Sequence, residues 1–194
     1  MASSSEEGRQ GALKGDLTME RLSVTEYFTR PESLDPMELV YGVVREPPAP
    51  RYGHQSLVTH LGALLHVYVR GLDLGEVCVS PVDVVLDEAA ALVVQPDVIF
   101  IAKDRLSIVR ERVFGPPDLV VEVLSAGTAT RDRTVKLEWY RRYGVRECWL
   151  VDHWRRSVEV VNLPAGEHRV FDGDSPLESA VLPGWTIQAR QVFD

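Results

Sequence analysis

The chain has little cysteine and no long hydrophobic run. Its two cysteines, Cys78 and Cys148, are far apart in the 194 residues, and their spacing fits neither a zinc site nor a disulfide framework. No apolar stretch reaches the roughly 20 residues that cross a bilayer, and the polar start MASSSEEGRQG is unlike a signal peptide. We therefore expect a cytoplasmic protein without a membrane-spanning segment.

The short motifs that mark several large enzyme classes are also missing. The sequence contains no GxGxxG, no Walker loop, no GxSxG and no HExxH. Nucleotide-cofactor enzymes, serine hydrolases of the GxSxG type and zincins therefore lack their essential parts here.

The overall charge argues against attraction of nucleic acid by the field of the whole molecule, since the formal net charge is −8. The charge is unevenly distributed, however, because residues 128–156 carry eight basic side chains and four acidic ones. Such a segment either contacts a polyanion or forms the solvated face of a helix, and the sequence leaves both interpretations open.

What is present is typical of a globular domain, with 45% hydrophobic and 26% charged residues. Residues 1–17 show no apolar periodicity and are predicted to be a disordered tail. The remaining residues 18–194 have the length of one domain.

Hydrophobic periodicity predicts a mixture of helices and strands. Apolar residues recur at threes and fours in two segments, whereas Val-rich runs bounded by Gly, Pro or Asp indicate strands. Ser23 and Glu26 have the spacing of a capping box, which predicts a short helix before Pro31. The predicted elements are a strand over 37–46 turning at Gly42, a helix over 53–70, strands over 76–86, 92–101 and 118–124, a helix over 130–143, and strands over 144–152, 157–163 and 168–171. This order predicts an α/β fold with a mixed central sheet flanked by helices.

Two acidic residues stand inside otherwise apolar segments: Asp97 in VVQPDVIFI and Glu122 in DLVVEVL. A buried carboxylate needs a partner, and one shared metal ion would satisfy both residues. Mg²⁺ prefers oxygen ligands and keeps several waters, which suits two carboxylates and a backbone carbonyl. The alternative is that Asp97 ends a sheet and Glu122 faces solvent or an arginine.

These segments resemble a known family. QPDVIF, followed by GPPDLVVEVLSAGTATRDRTVKLEWYRRYGVRECWLVD, is similar to the Uma family of endonucleases (Uma-two), within the PD-(D/E)xK, or restriction-endonuclease-like, superfamily. The flanking MELVYGVV, PAPRYGHQSLVTHL and LPGW extend the resemblance over roughly residues 20–193. The resemblance implies a restriction-endonuclease-like core and a Mg²⁺-dependent nuclease, with Mn²⁺ as a substitute. In such a core the metal ligands would be Asp97, Glu122 and the Val123 carbonyl.

The sequence departs from the superfamily at one functional position. A lysine normally follows the Glu by two positions, but Leu124 stands there. The Uma pattern offers Lys136 on the next helix instead, where it shares a face with Asp132, although a plain ion pair between those two is the simpler interpretation. Glu38 matches an acidic position of the family. His54 lies at a helix start, where it either faces the site or has a capping or surface role.

Two functions remain open at this point. One is a metal-dependent endonuclease that hydrolyses nucleic acid, with DNA as the expected substrate and Asp97, Glu122 and Lys136 as catalytic residues. The other is a weakly active or inactive module on the same fold that binds nucleic acid or protein. Cutting both strands of a duplex needs two sites, so we also expect a homodimer, with the regions around Trp149 or Trp185 as contact surface or as core.

Overall fold

The computed structural model describes residues 21–31, 36–125 and 131–194. The predicted tail over 1–17 and the predicted helix start at Thr130 lie outside the described residues. Helices are α1 (Val24–Phe28), α2 (Tyr52–Gly71) and α3 (Leu137–Tyr143). A π-helical turn, Asp132–Lys136, leads directly into α3, and 3₁₀ turns span Lys103–Ile108 and Ala189–Val192. The strands are β1 (Glu38–Val40), β2 (Val43–Arg45), β3 (Gly75–Val79), β4 (Val84–Asp87), β5 (Leu92–Val94), β6 (Val98–Ala102), β7 (Val113–Phe114), β8 (Leu119–Val123), β9 (Glu147–Asp152), β10 (Ser157–Asn162), β11 (Glu167–Asp172), β12 (Pro176–Glu178) and β13 (Thr186–Gln188).

A six-stranded mixed sheet forms the centre of the fold, in the order β11-β10-β9-β8-β6-β3. Strands β8 and β9 run parallel, and the other neighbours are antiparallel. Side chains alternate between its two faces, as the period of a strand requires. In β8, Val121 belongs to the core under α2, whereas Val120 belongs to the core on the opposite face, together with Leu137 and Tyr140. Both faces are therefore buried, which explains why these strands read as continuous apolar runs.

A second sheet of five strands, in the order β2-β1-β5-β4-β7, adjoins the face that carries α3. The β1–β2 connection has two residues with positive φ, Tyr41 at 50° and Gly42 at 84°. These values match the hairpin turn that suits the twist of the strands, so the predicted turn at Gly42 is confirmed. The α/β fold class is likewise confirmed, although the second sheet was not predicted.

One strand was predicted in each of the Val-rich runs over 76–86 and 92–101, and this prediction is wrong. Each run divides, and together they form one hairpin that belongs to both sheets: β4 pairs with β5 in the smaller sheet, and β3 pairs with β6 in the larger. The divisions fall at Pro81 and Pro96. A proline has no N–H for the ladder, which favours a break at these points.

The three helical predictions are confirmed within the described residues, although the third helix begins with a π-helical turn, and the predicted capping box of Ser23 and Glu26 is present at α1. Helix α2 buries Leu57, Val58, Leu61 and Leu65 against the central sheet, as its periodicity indicates. Helix α3 ends at Gly144, whose φ of 93° is the left-handed conformation common at helix ends. None of the helices in the described ranges is long and apolar enough to cross a membrane.

Trp149 and Trp185, each predicted as contact surface or core, are both core residues. They are 0% and 5% exposed, and their ring centroids are 6.3 Å apart. Neither side chain is therefore available as a contact surface for the predicted homodimer.

Asp118 is a buried acidic residue directly before β8 whose role was not predicted from the sequence. Its carboxylate accepts hydrogen bonds from the Ala102 amide at 2.8 Å, from Arg105 at 2.9 Å and from Arg146 at 3.1 Å. Burial would raise the pKa of Asp118, but these donors outweigh it and lower the pKa. The ionised Asp118 side chain therefore holds the start of β8 in place.

Replacing Asp118 with asparagine is expected to lower the free energy of unfolding by roughly 1.5–3 kcal/mol at pH 7, because a charge-assisted acceptor is lost. Since the pKa of Asp118 is lower in the folded chain, its contribution is fully present above the unfolded pKa of about 4 and is lost as the pH falls through the folded pKa. Urea denaturation should show that the difference in free energy of unfolding between the two proteins becomes smaller below about pH 4. A difference that stays constant into acid would contradict this role.

Candidate active site

Asp97 and Glu122 lie at neighbouring positions of the central sheet, where β6 begins and β8 ends. Strands β6 and β8 run antiparallel with Val98 opposite Val121. The next residues outward, Asp97 before β6 and Glu122 in β8, therefore lie side by side. The sequence predicted Asp97 inside a strand. It lies instead in the connection between β5 and β6.

Asp97 is held from two directions. Its Oδ2 accepts a hydrogen bond from the Val123 amide at 2.7 Å and lies 3.2 Å from Nε2 of His54. His54 belongs to the first turn of α2, so the helix start faces this edge of the sheet. Burial opposes a charge on His54, but its hydrogen bond to Asp97 and the charge of that carboxylate raise the pKa of His54, and the backbone carbonyl of Val123 adds to the effect.

Glu122 points to the opposite face of the sheet, toward α3. Both of its carboxylate oxygens bind Nζ of Lys136, at 3.0 and 3.1 Å, and the Tyr140 hydroxyl donates to Oε1. Lys136 and Tyr140 are four positions apart and therefore share one helix face. Lys136 comes from the π-helical turn, a type of turn that is frequent at functional sites.

Lys136 is the centre of a buried ion cluster. Besides Glu122, its ammonium lies 3.2 Å from Oε1 of Glu38 and 3.7 Å from Oδ1 of Asp132. Glu38 comes from β1 of the smaller sheet, and its other oxygen lies 2.7 Å from Nη1 of Arg131. The cluster thus joins the two sheets through the segment that precedes α3.

Carboxylates outnumber permanent cations in this site. Its ionisable side chains are four carboxyl groups, those of Glu38, Asp97, Glu122 and Asp132, and two permanent cations, Lys136 and Arg131. Burial raises the pKa of Glu122 to about 8 against the opposing charge of Lys136, and Asp132 and Asp97 add to the rise. The carboxylates in turn raise the pKa of Lys136 despite its burial, so the lysine stays charged. Excess negative charge of this kind favours a further cation at the site.

The family model of Uma2, described as "Putative restriction endonuclease", matches residues 24–190. The chain belongs to the Uma2 family. The matched range contains each of the site residues above, from Glu38 in β1 to Tyr140 in α3, so the family assignment covers the whole site.

A solved structure agrees with the Uma2 assignment at the level of the fold. The crystal structure of "a putative nuclease belonging to DUF820" from Anabaena variabilis is 17% identical in sequence, covers 89% of this chain and 97% of its own, and superposes with a TM-score of 0.75. This likeness confirms the restriction-endonuclease-like core. No curated protein matches the chain.

The oxygen atoms at the Uma2 site are of the type that Mg²⁺ binds. In the described ranges no three His, Cys, Asp or Glu side chains form a metal-binding group. The oxygen donors that the described residues offer a metal ion here are the carboxylates of Asp97 and Glu122 and the Val123 carbonyl. Hard oxygen donors beside unbalanced negative charge fit Mg²⁺ or Mn²⁺, which fill their remaining positions with water.

Tyr140 and Arg131 belong to the site, although neither was named as a catalytic or metal-binding residue from the sequence. The signal for Tyr140 is present in the sequence, because its spacing of four from Lys136 places it on the same helix face. Arg131 has no comparable signal. Its neighbour Arg133 is equally basic, yet it binds Glu159 at the outer part of the sheet.

The basic segment over 128–156 is largely neutralised inside the protein. Arg131, Lys136 and Arg146 bind the carboxylates of Glu38, Glu122 and Asp118, respectively. Much of the positive charge counted in the sequence thus stabilises the fold instead of facing a polyanion. Arg155, by contrast, has 77% of its side chain exposed and lies 3.8 Å from Asp152.

Proposed function

We propose that this chain is a metal-dependent endonuclease that hydrolyses phosphodiester bonds of nucleic acid, with DNA as the substrate. The observation that carries the proposal is that Asp97 and Glu122 lie at neighbouring positions of the central sheet and that Lys136 binds Glu122, in a site where carboxylates outnumber cations. Membership of a family described as restriction endonucleases supports it.

The chain's own residues divide the work. Lys136 would carry a fixed positive charge toward the phosphate, where negative charge builds up in the transition state. Tyr140 would hold the Glu122 carboxylate by its hydroxyl, and His54 would orient Asp97. A divalent ion held by Asp97, Glu122 and the Val123 carbonyl would supply an activated water and neutralise phosphate charge.

A second candidate is a binding module that has kept the fold without efficient chemistry. The observation in its favour is that both oxygens of Glu122 already bind Lys136, so this part of the site is satisfied internally. The two candidates differ in one measurable property, since a binding module does not need Mg²⁺ to engage its partner.

Replacing Asp97 with asparagine is expected to abolish Mn²⁺ binding without unfolding the chain. Asparagine keeps an oxygen that can accept the Val123 amide, but it removes the charge that a divalent ion needs. Calorimetric titration with Mn²⁺ gives the affinity, and cleavage of single- and double-stranded DNA and RNA in Mg²⁺ or EDTA gives the activity.

The matched control is Asp73→Asn, since Asp73 is an exposed carboxylate that pairs with Lys103 just beyond the end of α2 opposite His54. It should bind Mn²⁺ as the unaltered protein does. Equal Mn²⁺ affinity in the Asp97→Asn protein would refute the metal site, and cleavage that persists in EDTA would refute the metal-dependent nuclease. The homodimer stays a prediction, which light scattering can check.

A further inference from the structure

Two exposed aromatic side chains stand beside the site. Tyr52, the first residue of α2, is 90% exposed, and Trp154, in the turn between β9 and β10, is 62% exposed. Large aromatic side chains are normally buried, so two of them exposed near one site need an explanation. Neither takes part in the ion cluster around Lys136.

The topology brings both aromatic residues to the edge that holds Asp97 and Glu122. Strands β8 and β9 are parallel, with Val123 opposite Val151. The turn that follows β9 therefore leaves the sheet at the same edge as the end of β8. Trp154 belongs to this turn.

The start of helix α2 lies beside this turn. His153 Nε2 lies so near α2 that a β-carbon on Gly53 would come within 3.6 Å of it, and His153 makes an edge-on contact with Trp154 at 6.0 Å between ring centroids. The next helical residue, His54, bonds to Asp97. Tyr52 and His153 also line one shallow cavity of about 230 Å³. We call Tyr52, His153 and Trp154 the aromatic platform.

Charge beside the platform is suited to a phosphate backbone. Arg51, directly before α2, is exposed and has no ion-pair partner in the described part of the chain, and Arg155, which follows Trp154, is largely exposed although its Nη1 lies 3.8 Å from Oδ2 of Asp152. Aromatic faces flanked by arginines bind single-stranded nucleic acid, because unpaired bases stack on the rings while the backbone contacts the cations. Bases inside a duplex are stacked on one another and offer no free face.

We propose that the aromatic platform binds unpaired bases next to the scissile phosphate, so that the preferred substrate is single-stranded DNA or the unpaired part of a DNA junction. The preference deepens the proposed nuclease function and rests on it for the role of the neighbouring site. Stacking itself needs no metal and no cleavage, so binding can be measured separately.

Tryptophan fluorescence tests the platform directly. Of the four tryptophans, Trp139, Trp149 and Trp185 are buried, so a base that stacks on Trp154 should quench the solvent-exposed part of the emission. The full chain in EDTA is titrated with a single-stranded oligothymidylate, with an abasic strand of the same length and with a blunt duplex. We expect quenching and the tightest binding with the oligothymidylate, and binding about 10-fold weaker or worse with the abasic strand.

Variants separate stacking from structural effects. Trp154→Ala and Tyr52→Ala should each weaken binding of the single strand by about 10-fold, whereas Trp154→Phe and Tyr52→Phe should keep most of the affinity because a ring remains. Val67→Ala, an exposed site near the other end of α2, is the control and should change nothing. Duplex binding as tight as single-strand binding, or unchanged affinity in Trp154→Ala, would overturn the platform.

The outcomes also distinguish the platform from the nuclease. Quenching by single strands without any Mg²⁺-dependent cleavage would refute the proposed function and support the platform. Cleavage of duplex DNA that is equally fast in Trp154→Ala would refute the platform and leave the nuclease standing.

Discussion

The Lys136→Met protein is expected to cleave DNA at least ~10²-fold more slowly than the unaltered chain, because a fixed charge at the phosphate is lost. It should also be less stable in metal-free buffer, by roughly 3–5 kcal/mol, since methionine leaves three buried carboxylates without their shared cation. Those carboxylates are Glu38, Glu122 and Asp132. Cleavage assays and urea denaturation measure the two effects independently.

Added Mn²⁺ should return part of the lost stability, because the ion binds the folded state and supplies positive charge where the ammonium was. The affinity of the Lys136→Met protein for Mn²⁺ should be equal to that of the unaltered protein or slightly higher. This recovery separates a catalytic role from simple unfolding, since cleavage should stay slow in Mn²⁺ even when the variant is folded.

Lys103→Met is the matched control, since Lys103 pairs with Asp73 at the surface and both side chains are largely exposed. Exposed pairs contribute about 0–1 kcal/mol, so this variant should be nearly as stable as the unaltered chain and fully active. If Lys136→Met cleaves at the unaltered rate, the lysine is an ion-pair partner and nothing more.

The Glu122→Gln protein should lose Mn²⁺ binding and at least ~10²-fold in cleavage, yet be more stable than the unaltered chain in metal-free buffer. Burial raises the pKa of Glu122 to about 8. Because this value is above the unfolded one of about 4.3, the folded chain holds a proton that the unfolded chain releases, and stability falls as the pH rises between those values. Glutamine is neutral throughout, so its advantage should grow from about pH 5 to pH 8, reaching ~1 kcal/mol or more.

Glu147→Gln provides the opposite case in the neighbouring strand. Glu147 is equally buried but lies at the other end of β9, where it accepts hydrogen bonds from Trp149, Ser179 and the Ala180 amide. An amide group cannot accept all three, so this variant should be less stable while Mn²⁺ binding persists. Urea denaturation across pH and calorimetry compare the two variants. A Glu122→Gln protein that is less stable at pH 8 would show that Glu122 serves packing instead of metal binding.

The sequence predicts the site best where one residue type contradicts its surroundings. A carboxylate within an apolar strand is costly, and that cost identified Glu122; the spacing of four along a helix then linked Lys136 to Asp132. Both α2 and the Gly42 turn could be predicted because local periodicity and turn chemistry decide them.

Sheet membership could not be predicted in this way. Val-rich runs on either side of Pro81 and Pro96 have the same local pattern, yet one part of each run joins the smaller sheet and the other part joins the larger. Which neighbour a strand finds depends on contacts distant in sequence, and these leave no periodic trace. The role of Arg131 depends on such a contact too, since its partner Glu38 lies in another sheet.

The shared hairpin makes assembly of the site depend on both sheets. Because β3–β6 and β4–β5 are two halves of one hairpin, neither sheet can be completed while the other is absent. Glu38 arrives with the smaller sheet and Glu122 with the larger, and Lys136 follows later in the chain than both. Contacts this distant in sequence form late, after the entropy of closing the long loops has been overcome. A partly synthesised chain that ends before Lys136 therefore lacks the cation that pairs with Glu38 and Glu122, so the ion cluster can form only after both carboxylates and this lysine have been made.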